Sequence, residues 1–206
     1  PHELVQQLMA LRGRGYLSST WLQQTRRNVA ERHRTLQAAI DWSVRMLPPS
    51  HRDAFHCLGV FVGGCSAEAA QAVATADPEV LSGLARVNLV SFDDDRVTLL
   101  ETLHAFAHER LVGTGQLAAR QHLHAVYFAA FGRQVFAGLI GEDQTTWMQR
   151  AFTDHNNCLA ALRWALTEEQ GEIAISLAGS LWWFWYRRGL FALGRKMLQA
   201  ALQLST

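Results

Sequence analysis

His104 and His108 stand four residues apart, a spacing that puts two imidazoles on one face of a helix and can ligate zinc. A zinc site needs a fixed third ligand, and no HExxH string or cysteine partner stands near them. The two histidines instead flank an apolar stripe of Leu103, Phe106, Ala107 and Leu111, where an imidazole can bury its ring and keep its polar edge bonded. His122 and His124 follow soon after. No metal is assigned. Cys57, Cys65 and Cys158 are odd in number and form no CxxC pair, which points to small apolar fillers in a reducing compartment. The lone lysine, Lys196, ends a string running from Gly189 through Gly194 and Arg195. That string lacks the adjacent Gly-Lys of a phosphate-binding loop and lies in an apolar helical pattern. No nucleophile elbow gathers the Ser, His and Asp side chains. The chain is expected to be no enzyme and to hold no cofactor by itself.

Two further groups suit binding rather than catalysis. Trp182, Trp183, Trp185 and Tyr186, with Phe184, ring the whole circumference of one helix and are followed by Arg187 and Arg188. A helix apolar all round is expected to be buried on several sides, against its own core and a neighbouring repeat or second copy. The competing expectation is an exposed aromatic floor, edged by Arg187 and Arg188, that receives a peptide or effector. Arg26, Arg27, Arg32 and Arg34 form a basic cluster, either a solvated linker or an anion-facing interdomain segment.

The elements that would position these groups follow from periodicity. Leu4, Val5, Leu8, Met9 and Leu11 mark a short first helix, broken by Gly13 and Gly15. Leu36, Ala39, Ile40, Val44 and Leu47 mark another, which must stop before Pro48-Pro49. Ser50 is expected to cap the next, with Asp53 in a capping-box position, and Gly63-Gly64 to close that stretch. Ser66 caps a helix through Ala74; Asp77-Pro78 starts another carrying Val80, Leu81, Leu84 and Val87 inward. Leu89 to Phe92 and Arg96 to Leu100 read as two strands around Asp93-Asp94-Asp95. A helix with Leu103, Phe106, Ala107 and Leu111 inward then runs to Gly113-Thr114-Gly115. From Gln116 onward only helices are expected, over about 116–138, 145–152, 154–167, 171–188 and 190–204.

The fold expected is mainly α: a winged helix with a two-stranded wing, over 35–114, followed by a tetratricopeptide-like helical array over 115–206. Residues 1–34 would hold the short first helix and a basic linker. With 206 residues, 49% hydrophobic, the chain can bury one large or two small cores. No apolar run is expected to reach the ~20 residues a membrane span needs, the longest being Ile173 to Tyr186. The N-terminus lacks a signal-peptide core, so a cytoplasmic location is expected. The opening without Met and the ending inside a helix suggest a fragment of a longer protein. Net charge is +1 but unevenly spread: residues 1–34 carry +4, residues 35–114 carry −5 and residues 115–206 carry +2.

RHRTLQAAIDWS at 32–43, MLPP at 46–49, VFVGG at 60–64, LLET at 99–102 and LAGSLWWFWYRRG at 177–189 together carry a resemblance. The chain resembles bacterial signal-transduction ATPases with numerous domains, the STAND class, related to the AP-ATPases and NB-ARC proteins. Within them it resembles large transcriptional regulators of the AfsR and LuxR-like type. That resemblance implies an upstream P-loop module binding ATP or ADP with Mg, a helical subdomain whose tail and basic linker would be residues 1–34, a winged helix, and a downstream array of repeats as sensor. In such proteins a Met-His-Asp motif ends the winged helix and its His meets the ADP β-phosphate. The matching positions here are Leu99, Leu100 and Glu101, with Leu100 in the His slot, so the resemblance does not carry that contact over.

The expected role is therefore a regulatory module: a winged helix that docks on the ATPase domain and couples it to a helical sensor array. Its partners would be that domain, downstream repeats, an effector protein or small molecule, and a second copy paired through exposed apolar helices. The alternative is a winged-helix DNA binder with a helical dimerisation or ligand-sensing tail. DNA contact by this unit is not expected. The helix over 78–88 offers Arg86 against Asp77 and Glu79, and the wing tip is triply acidic, whereas DNA affinity comes mostly from cations on phosphates.

Overall fold

A computed structural model describes residues 35–93 and 96–204. The expected first helix and the cluster of Arg26, Arg27, Arg32 and Arg34 lie outside the described residues, as do Asp94 and Asp95 of the wing tip. The chain divides into two compact units, residues 1–46 and Leu47–Thr206. Of the first, a helix over 35–45 (α1) is described. Asp41 pairs with Arg45 one turn on at 2.7 Å, and Ile40 and Val44 are its buried positions.

The second unit is mainly helical with one small sheet. Helix α2 (Pro49–Leu58) begins with proline at its first position, where the missing N–H is no loss. The expected Ser50 cap is not made: Ser50 Oγ meets His51 Nδ1 instead, because the helix has already started one residue earlier. Leu58 ends α2, earlier than the Gly63-Gly64 pair, and the turn over 59–64 folds Phe61 into the core. Strand β1 (Cys65–Ser66) follows, then α3 (Ala67–Ala74), capped by Ser66 Oγ accepting from the Ala69 N–H at 3.1 Å. In α4 (Pro78–Arg86), Asp77 Oδ1 accepts from the Val80 N–H at 2.8 Å. Val80, Leu81 and Leu84 are buried there as their spacing requires, while Val87 falls beyond the helix and is exposed.

Strands β2 (Ser91–Asp93) and β3 (Arg96–Thr98) form the expected hairpin. The sheet, however, has three strands in the order β1-β3-β2, not two. Cys65 pairs with Val97 and Ser66 with Arg96, so two residues after a diglycine turn suffice to extend the ladder. Helix α5 (Glu101–Gly113) buries Leu103, Phe106, Ala107 and Leu111 and packs on α2.

Five helices complete the unit: α6 (Leu117–Ile140), α7 (Gln144–Thr153), α8 (His155–Thr167), α9 (Gly171–Arg187) and α10 (Phe191–Gln203). The loops between α8, α9 and α10 are short, so consecutive helices pack side by side. Helix α6 is the spine, in contact with α7, α8 and α9 and, on the winged side, with α3. The longest apolar helix is thus α6 rather than the 173–186 run; it is long and apolar enough to cross a membrane by length and composition. Its Phe128, Val135 and Leu139 are nevertheless buried in this unit. Where backbones approach closely, small residues stand. Gly132 of α6 faces Ser180 of α9, and a Cβ on Gly194 of α10 would stand 3.2 Å from the Trp185 ring.

Candidate functional site at the wing and array joint

The turn over 59–64 would be unstable alone, because it exposes a run of backbone groups with no helix or strand to pair them. Three elements satisfy it. From α5, His104 Nε2–H donates to the Phe61 carbonyl at 2.7 Å and His108 Nδ1–H donates to the Gly59 carbonyl at 3.1 Å. The two rings stack with centroids 6.4 Å apart. The helical i, i+4 histidine pair is therefore a double clamp on one turn. Among the described residues no group of three His, Cys, Asp or Glu side chains stands close enough to hold a metal ion.

From β3, Arg96 Nε and Nη2 donate to the Gly63 carbonyl at 3.1 and 2.9 Å, and Nη2 also reaches the Gly64 carbonyl at 2.9 Å. Its Nη1 pairs with Asp154 Oδ1 at 3.0 Å, where both side chains are largely shielded from water. Gly63 and Gly64 have φ of +77° and +83°, which glycine alone adopts at no cost. At Gly64 a Cβ would also collide with the Val97 carbonyl.

From α8, Asn157 closes the joint. It is fully buried, its Oδ1 accepts from the Val62 N–H at 2.7 Å, and its Nδ2 donates to the Gly64 carbonyl at 2.8 Å and to Asp154 Oδ1 at 3.1 Å. His124 of α6 adds a contact from Nε2 to Asn157 Oδ1 at 3.3 Å, and its ring lies 5.4 Å from that of Phe61. Phe128 meets Phe61 edge-on at 6.4 Å. One polar network and one aromatic cluster thus tie the β-hairpin and the 59–64 turn to α6 and α8.

Burial without a compensating carboxylate pushes the His124 imidazole down to about 4, since a charge there would lose its hydration. The native state therefore holds this ring neutral while the unfolded chain protonates it near 6.5. Stability is full above pH 6.5 and falls as the pH drops from 6.5 toward 4, by on the order of 2 kcal/mol between pH 7 and 5 from this residue. Urea unfolding at both pH values, wild type against His124→Gln, is expected to show a smaller pH penalty in the variant. Burial also raises the thiols of Cys57, Cys65 and Cys158, consistent with apolar fillers.

The other sequence-predicted positions fall elsewhere. Leu100, 69% exposed, is the residue before α5, and Glu101 is the first of that helix. Glu101 lines a pocket of about 220 Å³ with Leu99, His104 and the diglycine turn, whereas Leu100 does not. The aromatic ring of α9 divides. Phe184 and Trp185 are buried, with Trp185 Nε1–H donating to His155 Nε2 at 3.0 Å; Trp182 and Tyr186 are exposed. The expectation of burial all round thus holds for one side of the helix only. Arg187 is exposed, and Arg188 lies over the Phe152 ring at 4.8 Å. Asn157 and Arg96, which make most of the joint, carry no sequence signal; both hold partners on distant elements. An open groove of about 870 Å³ runs beside the joint between the wing and α6–α7, lined by Asp93, Arg96, Tyr127, Arg150 and Asp154 among others.

No protein-family model matches this chain, and no solved structure does. Three curated proteins are similar to it over 190 residues at 32% identity, covering 86% of this chain. They are each named "Putative HTH-type transcriptional regulator", one from Mycobacterium bovis and two from strains of Mycobacterium tuberculosis. The chain spans about a fifth of the length of these relatives (21%).

Proposed function

We propose that this chain is a regulatory segment of a transcriptional regulator, in which the wing-bearing unit is a protein-docking joint. In this reading it links a nucleotide-switched ATPase module, which the basic Arg26, Arg27, Arg32 and Arg34 segment would face, to a tetratricopeptide-like sensor array. The chain itself acts by binding and carries no catalytic step; ATP or ADP with Mg would belong to the ATPase module. Similarity to proteins named as HTH-type transcriptional regulators supports the regulatory role. The joint supports coupling, because a wing bonded to α8 through Asn157, Arg96 and Asp154 must follow the helices when they move.

The observation that carries docking over base reading is electrostatic. The exposed stripe of α4 is Glu79, Ser82 and Arg86, close to neutral, and Asp93 stands exposed on the wing. Arg96, the cation of the hairpin, is spent on carbonyls and Asp154. A DNA reader needs several free cations on that face, since each phosphate contact releases counterions.

The second reading, direct DNA binding through α4 and the wing, draws on the relatives' printed name. A gel shift with duplex DNA at about 50 mM salt separates the two, because nonspecific binding by a basic reader is strongest there. No retardation is expected at micromolar chain; retardation lost on Arg86→Glu would overturn the docking reading.

A further inference from the structure

The outer face of α9 carries aromatic side chains that nothing in the described chain covers. Trp182 is 40% exposed, Tyr186 55% and Phe191, at the start of α10, 61%. The rings run in series across three helices. Phe136 of α6 lies 6.4 Å from Trp182, Trp182 lies 5.1 Å from Trp183, Trp183 stacks on Tyr186 at 5.3 Å, and Tyr186 meets Phe191 at 5.7 Å. Gly179, one turn before Trp183, is exposed, and a Cβ there would meet nothing within 4 Å, so the strip has a low point beside its rings.

Along α9 and α10 the charge beside this strip has one sign; the exposed carboxylates Glu142 and Asp143 stand past the end of α6, just before Gln144, which lines a pocket with Arg187. From Ile173 to Thr206 the sequence holds Arg187, Arg188, Arg195 and Lys196 and no Asp or Glu. Arg187 is one turn on from Trp183, Arg195 one turn on from Phe191, and Arg133 of α6 three residues before Phe136. Glu172, the nearest carboxylate along α9, is ten residues from Trp182, about 15 Å up the helix.

We propose that this face seats an amphipathic helix of a partner protein, its apolar stripe over Trp182, Tyr186 and Phe191 and its flanking carboxylates against Arg133, Arg187 and Arg195. Large aromatic anchors inside a polar rim are the arrangement that concentrates binding energy, and the rim's sign selects the partner. A second copy of this chain is the poorer occupant. A two-fold pairing through the strip would set the same arginines of α9 and α10 against each other, and those two helices carry no carboxylate from Ile173 onward. Single-stranded nucleic acid is poorer too, because Trp183 and Tyr186 spend their faces on each other at an interplanar angle of 7° and offer no free sandwich for a base. The inference stands apart from the regulator reading: it concerns what this face binds, and the duplex gel shift does not touch it.

The test uses the whole chain and two synthetic 18-residue helical peptides with one leucine stripe, the remaining positions glutamate in the first and lysine in the second. Tryptophan fluorescence is expected to shift to the blue with the glutamate peptide, with affinity at least tenfold tighter than for the lysine peptide. Trp182→Ala is expected to weaken that binding about tenfold. Arg187→Glu with Arg195→Glu, both at exposed positions that leave folding intact, is expected to reverse the preference. Equal binding of the two peptides, or none, overturns the proposal. So does a chain dimer in sedimentation that Trp182→Ala dissolves, which would give the face to a second copy. Binding of an 18-nucleotide oligo-dT that competes with the glutamate peptide and is lost in Trp182→Ala overturns it as well.

Discussion

Asn157→Leu is expected to lower stability by about 3 kcal/mol, measured as the urea midpoint at constant slope. Leucine keeps the four branched side-chain heavy atoms of asparagine but is bulkier, so crowding at this fully buried site adds to the loss of hydrogen bonds. It removes the partner of the Val62 N–H and of the His124 ring, and one of the two donors to the Gly64 carbonyl, which keeps Arg96. An orphaned, partly buried backbone group costs on the order of 1–3 kcal/mol, more than the net value of the bond that satisfied it. Asn156, its exposed neighbour on α8, is the control, and Asn156→Ala is expected to stay within about 0.5 kcal/mol of wild type. Because the lost bonds join the 59–64 turn to α8 and α6, the variant should also become open to proteolysis in that turn below the global midpoint. A midpoint unchanged in Asn157→Leu would mean the joint is not cooperative with the rest of the unit.

Gly59→Val is the second large effect, and its cause is steric. Gly59 has an ordinary helical φ of −64°, so conformational freedom is not what the site needs. It needs the missing side chain: a Cβ there would come within 2.8 Å of the Ala107 carbonyl carbon and still nearer the His108 nitrogen. Those are backbone atoms of α5 and cannot rotate away, so α2 and α5 must separate and take the His108 clamp on the Gly59 carbonyl with them. A loss of about 3 kcal/mol or more is expected, read as a fall in Tm of roughly 6–12 °C for a unit of this size. Gly113→Ala is the contrast. A Cβ at Gly113 meets nothing within 4 Å and its φ is not positive, so alanine is expected to leave Tm unchanged or raise it, by up to about 1 kcal/mol of stability. A Gly59→Val chain as stable as wild type would show that the two helices are free to move apart.

The difference between these two glycines marks where sequence reading stops. Both look like helix punctuation, yet one ends a helix in open solvent and the other marks a crossing point of two backbones. The same division runs through the rest of the chain. Local patterns sufficed for Leu103, Phe106, Ala107 and Leu111, all buried on one face of α5, because a 3.6-residue period commits side chains to a face without reference to the partner. They sufficed for the Ser66 and Asp77 caps, whose bonds span three residues. They sufficed for the succession of helices after Gln116, set apart by short polar or glycine-bearing loops.

What tertiary structure alone decided is long-range pairing. The third strand is two residues long, below any periodicity, and exists because β3 offers it a ladder. Asn157 reaches residues 93 and 95 positions earlier, and Arg96 reaches Asp154, 58 positions later, so neither role leaves a trace within a helical turn. His104 and His108 showed their spacing to a sequence reader but not their carbonyl partners, and the α9 aromatics showed their number but not which of them α8 and α10 would cover. Periodicity fixes the direction of a side chain relative to its own helix; what stands opposite depends on the packing of elements that lie far apart in the sequence.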